Sequence, residues 1–275
     1  MKKLFILCSL LLGTTVQAEQ IDTLQLSSEF TAEQDAQNYF SKNKASFAWD
    51  LHNVLVSRDK TTFTKGGFGN LGSTTKSWKE KVHFYGQLTH AMGNFYVWKG
   101  IKSLIKSPYG KNKITESYFN MLKSLGYNLL YKELIQFANN IFVETPGIAE
   151  LLTTLETTRT EDSHVLFSNI GACTLEDIHT RNLFPNIFNG KRFLKNSINN
   201  VCCTSSNGIY KVWKSKPEAY TGFEEYSKTT DTKCSIIFID DKLKNIKAAP
   251  KEWNCILFTS VEQLKADLKR LGIIE

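Results

Sequence analysis

The chain has 275 residues, of which 41% are hydrophobic and 22% are charged, and its formal net charge is +7. This length is enough to bury one sizeable core and to carry an insertion of about half a domain. The lysines are spread along the chain rather than clustered in a stripe. The charge therefore suits small phosphorylated anions and does not indicate nucleic-acid binding.

The first eighteen residues have the layout of a cleaved secretory signal peptide. Two lysines precede an apolar run from Leu4 to Leu12, and Val16-Gln-Ala18 stands directly before Glu19. The run is too short to span a bilayer, although an uncleaved anchor stays open as an alternative. We therefore exclude residues 1–18 from the fold. We expect a periplasmic or secreted protein with no stable membrane insertion after cleavage.

Five cysteines remain after this cleavage, and no CxxC or Cys/His spacing indicates a zinc site. Two interpretations stay open for Cys234 and Cys255, which fall near the starts of two predicted neighbouring strands. They form a disulfide in an oxidising compartment, or they are buried free thiols.

The predicted elements begin with a short amphipathic helix within residues 27–43 and a first strand over residues 45–50. A glycine-rich loop follows at residues 65–72 and lacks the Gly-Lys-Ser/Thr ending of a phosphate-binding loop. Residues 78–106 and 115–140 have helical spacing and many aromatic side chains. They predict a mainly helical cap domain over residues 57–144.

Beyond residue 145 the pattern alternates between short apolar strands and helices. Strands are predicted at residues 164–168, 198–204, 235–239 and 255–258, and helices at 148–155, 174–182 and 217–226. Such alternation predicts crossover connections and a parallel sheet. We therefore expect an α/β fold, a Rossmann-like parallel sheet covered by helices on both faces, with a core domain formed by residues 19–56 and 145–275.

Polar residues stand where the predicted strands end. They are Asp50 after the first strand, Ser168 and Asn169 after the second, Lys216 at the helix after the third, and Asp240 and Asp241 after the fourth. Ligands of parallel α/β sheets bind beyond the carboxyl ends of the strands, so these residues are predicted to share one site. A carboxylate that attacks an anionic phosphate ester needs a cation, and three carboxylates form a hard-oxygen site suited to Mg²⁺.

These four motifs and their order resemble the haloacid dehalogenase superfamily of hydrolases, over residues 45–56 and about 145–272. The resemblance implies that Asp50 is the nucleophile and that Ser168 and Asn169 bind the phosphoryl group. It implies that Lys216, which Pro217 follows, neutralises the developing charge, and that Asp240-Asp241 is the acidic metal-binding motif. The implied activity is Mg²⁺-dependent hydrolysis of a small phosphate monoester through an aspartyl-phosphate intermediate.

Each assignment also has a structural alternative. Ser168-Asn169 is a common helix-capping pair. Lys214 and Lys211 compete with Lys216, although the following Pro217 favours Lys216. Asp241 also suits the role of a cap for the helix that follows it.

His52 departs from the family pattern. Phosphatases of this superfamily have a second aspartate at this place, which protonates the leaving group and later activates water. The backbone carbonyl that the family offers to the metal survives the substitution, so the metal set includes that of His52. Histidine is a competent acid/base, but a degenerate enzyme that binds a phosphorylated ligand without fast turnover is the competing hypothesis. A dehalogenase-like hydrolase is a third, and the pair Asp240-Asp241 speaks against it because that branch needs no metal.

Overall fold

The computed structural model describes residues 22–59, 77–93, 121–170, 172–188, 214, 216–230 and 235–275. The predicted signal peptide, the glycine-rich loop at 65–72, the predicted strand at 198–204, and the side chains of Lys211 and Cys234 lie outside the described residues. The predictions made for them stay predictions.

Strands and helices alternate along most of the described chain. The strands are β1 Leu24–Gln25, β2 Ala45–Trp49, β3 Val56–Arg58, β4 Phe142–Glu144, β5 Ser163–Leu166, β6 Ser235–Asp240 and β7 Asn254–Leu257. The helices with described bounds are α1 Glu33–Phe40, α2 Trp78–Gly93, α3 Asn128–Asn140, α4 Ile148–Thr158, α5 Ala172–Thr180, α6 Pro217–Thr230, α7 Leu243–Ile246 and α8 Val261–Arg270. None of these described helices has both the length and the apolar character needed to cross a membrane.

Five strands form one sheet in the order β1-β7-β6-β2-β5, and every pair except β1–β7 is parallel. The α/β fold with a mainly parallel sheet is therefore confirmed. The two-residue antiparallel edge strand β1 was not predicted. In the central pairs Trp49 lies opposite both Leu166 and Ile239. This register places the carboxyl ends of β2, β5 and β6 side by side.

Both faces of the sheet are covered by helices. Successive side chains of a strand point to opposite faces, so β2 contributes to one apolar cluster on each face. Phe47 and Trp49 of β2 belong to an apolar cluster with buried residues of α1, α4, α5 and α8. Ala48, between them, belongs to a second cluster with residues of α6 and α7. All residues of β2 and β6 are buried, as expected for the centre of a parallel sheet.

An arginine network fixes the start of β2. Arg159 donates hydrogen bonds to the backbone oxygens of Phe40 and Asn43, each at 2.8 Å, and to the carboxylate of Asp162. That carboxylate accepts the backbone N–H of Ala45 at 2.9 Å. The strand that ends at the site is thus anchored at its beginning to the ends of α1 and α4.

An antiparallel pair, β3 with β4, flanks the segment from residue 59 to residue 141. Within that segment α2 and α3 pack around a small apolar cluster that includes Phe84, Leu122 and Leu130. The segment with helical spacing over residues 115–140 contains a break within its described part, residues 121–140. Gly126 adopts a left-handed backbone conformation, with φ of 78°, which ends the helical stretch at 121–124 before α3 begins.

Cys255 is a buried free thiol among the described residues. Burial, with the nearby charge of Asp240 adding to it, raises the pKa of Cys255 to about 12. A thiol that stays protonated at neutral pH is a poor nucleophile. Cys255 therefore serves the packing of β7.

Candidate active site

Three carboxylates meet at the carboxyl ends of β2 and β6. Asp50 directly follows β2, and its backbone N–H donates to the oxygen of Ile239 at 3.0 Å. Asp240 is the last residue of β6, and Asp241 follows it. One carboxylate oxygen from each of the three aspartates lies within 4.8 Å of the other two. The predicted meeting of residues that are about 190 positions apart is therefore observed.

A buried lysine ammonium lies between two of these carboxylates. The Nζ of Lys214 donates to Oδ1 of Asp50 at 2.8 Å and to Oδ2 of Asp240 at 2.6 Å. It also lies 5.2 Å and 5.3 Å from the ring centroids of Phe167 and Phe238, within range of a cation–π contact. Burial acts to lower the pKa of Lys214, but the charges of Asp240 and Asp50 outweigh it and hold that pKa above its usual range. Lys214 is charged at any physiological pH.

The assignment of Lys216 to the site is wrong. Lys216 is exposed and immediately precedes α6, where its backbone oxygen accepts the N–H of Ala219 at 3.1 Å. Pro217 fixes the start of that helix, a position that proline favours, and it does not direct the preceding side chain inward. The backbone N–H of Lys214 instead donates to Oδ1 of Asn169 at 3.0 Å. That contact holds Lys214 beside the end of β5.

Asp240 has donors on both of its oxygens. Oδ1 accepts the backbone N–H of Lys242 at 2.8 Å, and the side-chain amide of Asn245 lies 3.0 Å and 2.9 Å from Oδ1 and Oδ2. Burial raises the pKa of Asp240 against the opposing effect of Lys214, and the charge of Asp50 adds to the rise. Asp240 therefore fixes the lysine and the turn that follows β6.

Asp241 has one anchored oxygen and one that is not hydrogen-bonded. Its Oδ2 accepts the side-chain amide of Asn53 at 2.8 Å. Its Oδ1 is buried and has no hydrogen-bond partner among the described residues, although the ammonium of Lys242 lies 3.5 Å away. No side chain caps α7, so the capping role that the sequence left open for Asp241 is not observed. A buried carboxylate oxygen without a hydrogen bond is unfavourable, and a bound cation would compensate it.

Ser168 supplies a second unpaired polar atom. It is 1% exposed, and its Oγ has no hydrogen-bond partner among the described residues. The backbone N–H of Phe167 donates to the oxygen of Trp49 at 2.8 Å, so Ser168 follows β5 beside the start of the Asp50 turn. Buried hydroxyls are nearly always hydrogen-bonded. A ligand oxygen bound near Asp50 would supply the missing partner of the Ser168 hydroxyl. Asn169, predicted to bind the substrate, is used here to hold the backbone of Lys214.

His52 is half-buried on the side of the β3–β4 pair. Its ring centroid lies 5.0 Å from that of Phe142, a residue of β4. Burial lowers the pKa of His52 to about 3, and the positive charges of Lys242, Lys214 and Arg58 contribute to the fall. The imidazole is therefore neutral at physiological pH in this state of the site.

The donor set fits the predicted metal. Mg²⁺ is bound through oxygen, usually by one or two carboxylates together with substrate phosphates and water. Asp50 and Asp241, with Asp240 in the same cluster, offer such oxygens, and the unpaired Oδ1 of Asp241 gives a specific place for one contact.

Sequence reasoning missed Asn53 as a member of this site. Its only signal is an asparagine in the turn after Asp50, a residue type that tolerates the positive φ of 65° found there.

No protein-family model matches this chain, and no curated protein matches it. Among solved structures the chain is similar to the HAD family enzyme bt-2542 from Bacteroides thetaiotaomicron, at 17% identity and a TM-score of 0.44, over 82% of this chain and 98% of that one. The wild-type form of that enzyme in complex with magnesium and inorganic phosphate gives 18% identity and a TM-score of 0.43, over 80% and 96% of the two chains. A variant of it with alanine in place of an aspartate, in the same complex, gives 19% identity and a TM-score of 0.42, again over 80% and 96%.

Proposed function

We propose that this protein is a Mg²⁺-dependent phosphatase of the haloacid dehalogenase type, which hydrolyses a small phosphate monoester through phosphorylated Asp50. The observation that carries the proposal is the buried Lys214 ammonium held between Asp50 and Asp240, with Asp241 in the same cluster. Phosphoryl transfer depends mainly on positioning and on charge stabilisation. A fixed cation beside a carboxylate at the ends of parallel strands supplies both.

In the first step a carboxylate oxygen of Asp50 attacks the phosphorus, and the bond from phosphorus to the leaving oxygen breaks. Lys214 holds Asp50 in place through its hydrogen bond and stabilises charge on the phosphoryl oxygens, while the unpaired hydroxyl of Ser168 donates a hydrogen bond to one of them. When bound by Asp50, Asp240, Asp241 and the backbone carbonyl of His52, Mg²⁺ would screen the repulsion between carboxylate and phosphate. The product of this step is an aspartyl phosphate.

In the second step water attacks the aspartyl phosphate, releases inorganic phosphate and regenerates Asp50. The leaving oxygen needs a proton in the first step, and the attacking water loses one in the second. We propose that His52 moves these protons, because it stands where the superfamily has its acid/base aspartate and remains partly accessible.

We also propose that residues 57–144 form a cap domain that closes over the substrate, and that the chain acts in the periplasm or outside the cell after removal of residues 1–18. The β3–β4 pair at the edge of the site supports the first point, and the N-terminal layout supports the second. Recovery of only the full-length precursor, and only from the cytoplasm, would overturn the localisation.

The phosphatase proposal is tested by turnover of p-nitrophenyl phosphate with and without Mg²⁺. We expect activity that a chelator removes and Mg²⁺ restores, and a loss of several orders of magnitude in Asp50→Asn, because the amide is not nucleophilic. Activity that is insensitive both to the metal and to this substitution would discard the assignment.

The choice of lysine is tested with a matched pair, Lys214→Met and Lys216→Met. We expect Lys214→Met to lower turnover by about 10²–10³-fold and the free energy of unfolding by about 3–5 kcal/mol, because two carboxylates lose their buried cation. Lys216→Met changes an exposed side chain and should alter both quantities little. Turnover and urea unfolding are the measurements, and the reverse ranking of the two variants would return the role to Lys216.

A second candidate function is a protein that binds a phosphorylated ligand without fast turnover. The observation that favours it is the placement of the His52 ring against Phe142, with a lowered pKa that leaves the ring without an acidic proton to donate at neutral pH. Binding of a phosphate ester, seen by calorimetry with no release of phosphate, would select this function over the first.

His52 is tested with two esters that differ in their need for a proton. An aryl ester releases a stable phenolate, whereas glycerol phosphate releases an alkoxide that must be protonated. We expect His52→Ala to slow glycerol phosphate hydrolysis by about 10²–10⁴-fold and the aryl ester far less, and His52→Asp to retain activity on both. If neither variant changes the glycerol phosphate rate, His52 has no part in proton transfer.

A further inference from the structure

We propose that Asn53 is a positioning residue for the metal site, because its side-chain amide holds Asp241 in the orientation that binds Mg²⁺. This inference rests on the proposed metal site and extends it to a residue in the turn after the nucleophile. The amide Nδ2 of Asn53 donates to Oδ2 of Asp241 at 2.8 Å, across 188 positions of sequence.

The turn that carries Asn53 is tightly hydrogen-bonded. Its backbone N–H donates to the oxygen of Val56 at 2.6 Å, while the N–H groups of Leu55 and Val56 donate to the oxygen of Leu51 at 3.0 Å and 2.9 Å. Asn53 adopts a left-handed conformation, with φ of 65°. Asparagine and glycine are the residues that accept this conformation most readily. The backbone thus places the Asn53 side chain in a fixed position beside Asp241.

The charges around Asp241 show why such an anchor is needed. Asp50 and Asp240 share the buried ammonium of Lys214, and Asp241 belongs to the same cluster of carboxylates. Among the described residues, the ammonium paired with Asp241 is that of Lys242, 3.5 Å from Oδ1 on a side chain that is 46% exposed. An ion pair at this distance, with a lysine side chain that is largely in solvent, contributes little. The hydrogen bond from Asn53 is the shorter of the two described contacts, at 2.8 Å against 3.5 Å, and it opposes rotation of Asp241 away from the other two carboxylates.

The two oxygens of Asp241 then have separate tasks. Oδ2 is anchored by Asn53, and the buried Oδ1 remains available to a cation. Hydrogen bonds of this kind orient metal-binding carboxylates, and their removal typically lowers metal affinity by about 10–100-fold. Because Asn53 also bonds to Val56 at the start of β3, the same residue links the metal carboxylate to the base of the β3–β4 pair.

The experiment compares Mg²⁺ binding by the wild-type chain and by Asn53→Gly, using isothermal titration calorimetry without substrate. Glycine adopts a positive φ without strain, so this variant keeps the turn and removes only the amide. We expect the dissociation constant for Mg²⁺ to rise by about 10–100-fold. The matched control is Asn182→Gly, which makes the same change at an exposed residue with φ of 50° after α5, and its affinity should equal that of the wild type.

A turnover series at increasing Mg²⁺ separates positioning from a general structural defect. Activity of Asn53→Gly should be lowest at low Mg²⁺ and recover as the metal concentration rises, whereas a folding defect would lower activity at every concentration. Unchanged Mg²⁺ affinity in Asn53→Gly would overturn the inference and leave the phosphatase proposal intact. If Asn53→Gly alters the affinity for Mg²⁺ but the wild-type chain shows no turnover, the positioning role of Asn53 stands and the phosphatase proposal fails. A wild-type chain that binds no Mg²⁺ would refute both.

Discussion

Two carboxylates stand at the ends of the neighbouring parallel strands β2 and β6, and burial makes their mutual repulsion severe unless a cation lies between them. The ammonium of Lys214 meets this need with hydrogen bonds to Asp50 and Asp240. A buried ion pair of this kind stabilises little in net terms, because its members are desolvated, yet removal of one partner is strongly destabilising. Lys214, the strand ends of the sheet and the two carboxylates therefore depend on one another.

The three aspartates are chemically identical, and their neighbours give them different tasks. Asp240 is surrounded by donors from Lys242, Asn245 and Lys214, so it organises the turn and the cation. Asp241 has one oxygen held by an amide and one left unpaired. Asp50 faces the same ammonium at the end of its strand. One residue type thus supplies a carboxylate that faces the ammonium, one that anchors the turn, and one that keeps an oxygen unpaired.

The sequence predicted the sheet and the strand ends because both depend on local periodicity and on the regular alignment of parallel strands. It could not select Lys214 over Lys216, because the choice depends on a backbone hydrogen bond to Asn169, 45 positions away. The contact from Asn53 to Asp241 spans 188 positions and was beyond any local pattern. Helical spacing over residues 115–140 did not locate the break at Gly126, because the spacing continues on both sides of it.

The β3–β4 pair explains how the long segment between residues 59 and 141 is accommodated next to the buried carboxylates. The chain departs from the core at Val56 and comes back at Glu144, and these two residues are register partners. Since the ends of the excursion are already joined, a change in its length alters the entropy of loop closure only slowly. Insertions, deletions or exchange of the segment between these two points are then expected to disturb the five-stranded sheet little, which makes the β3–β4 pair a suitable junction for grafting a different segment.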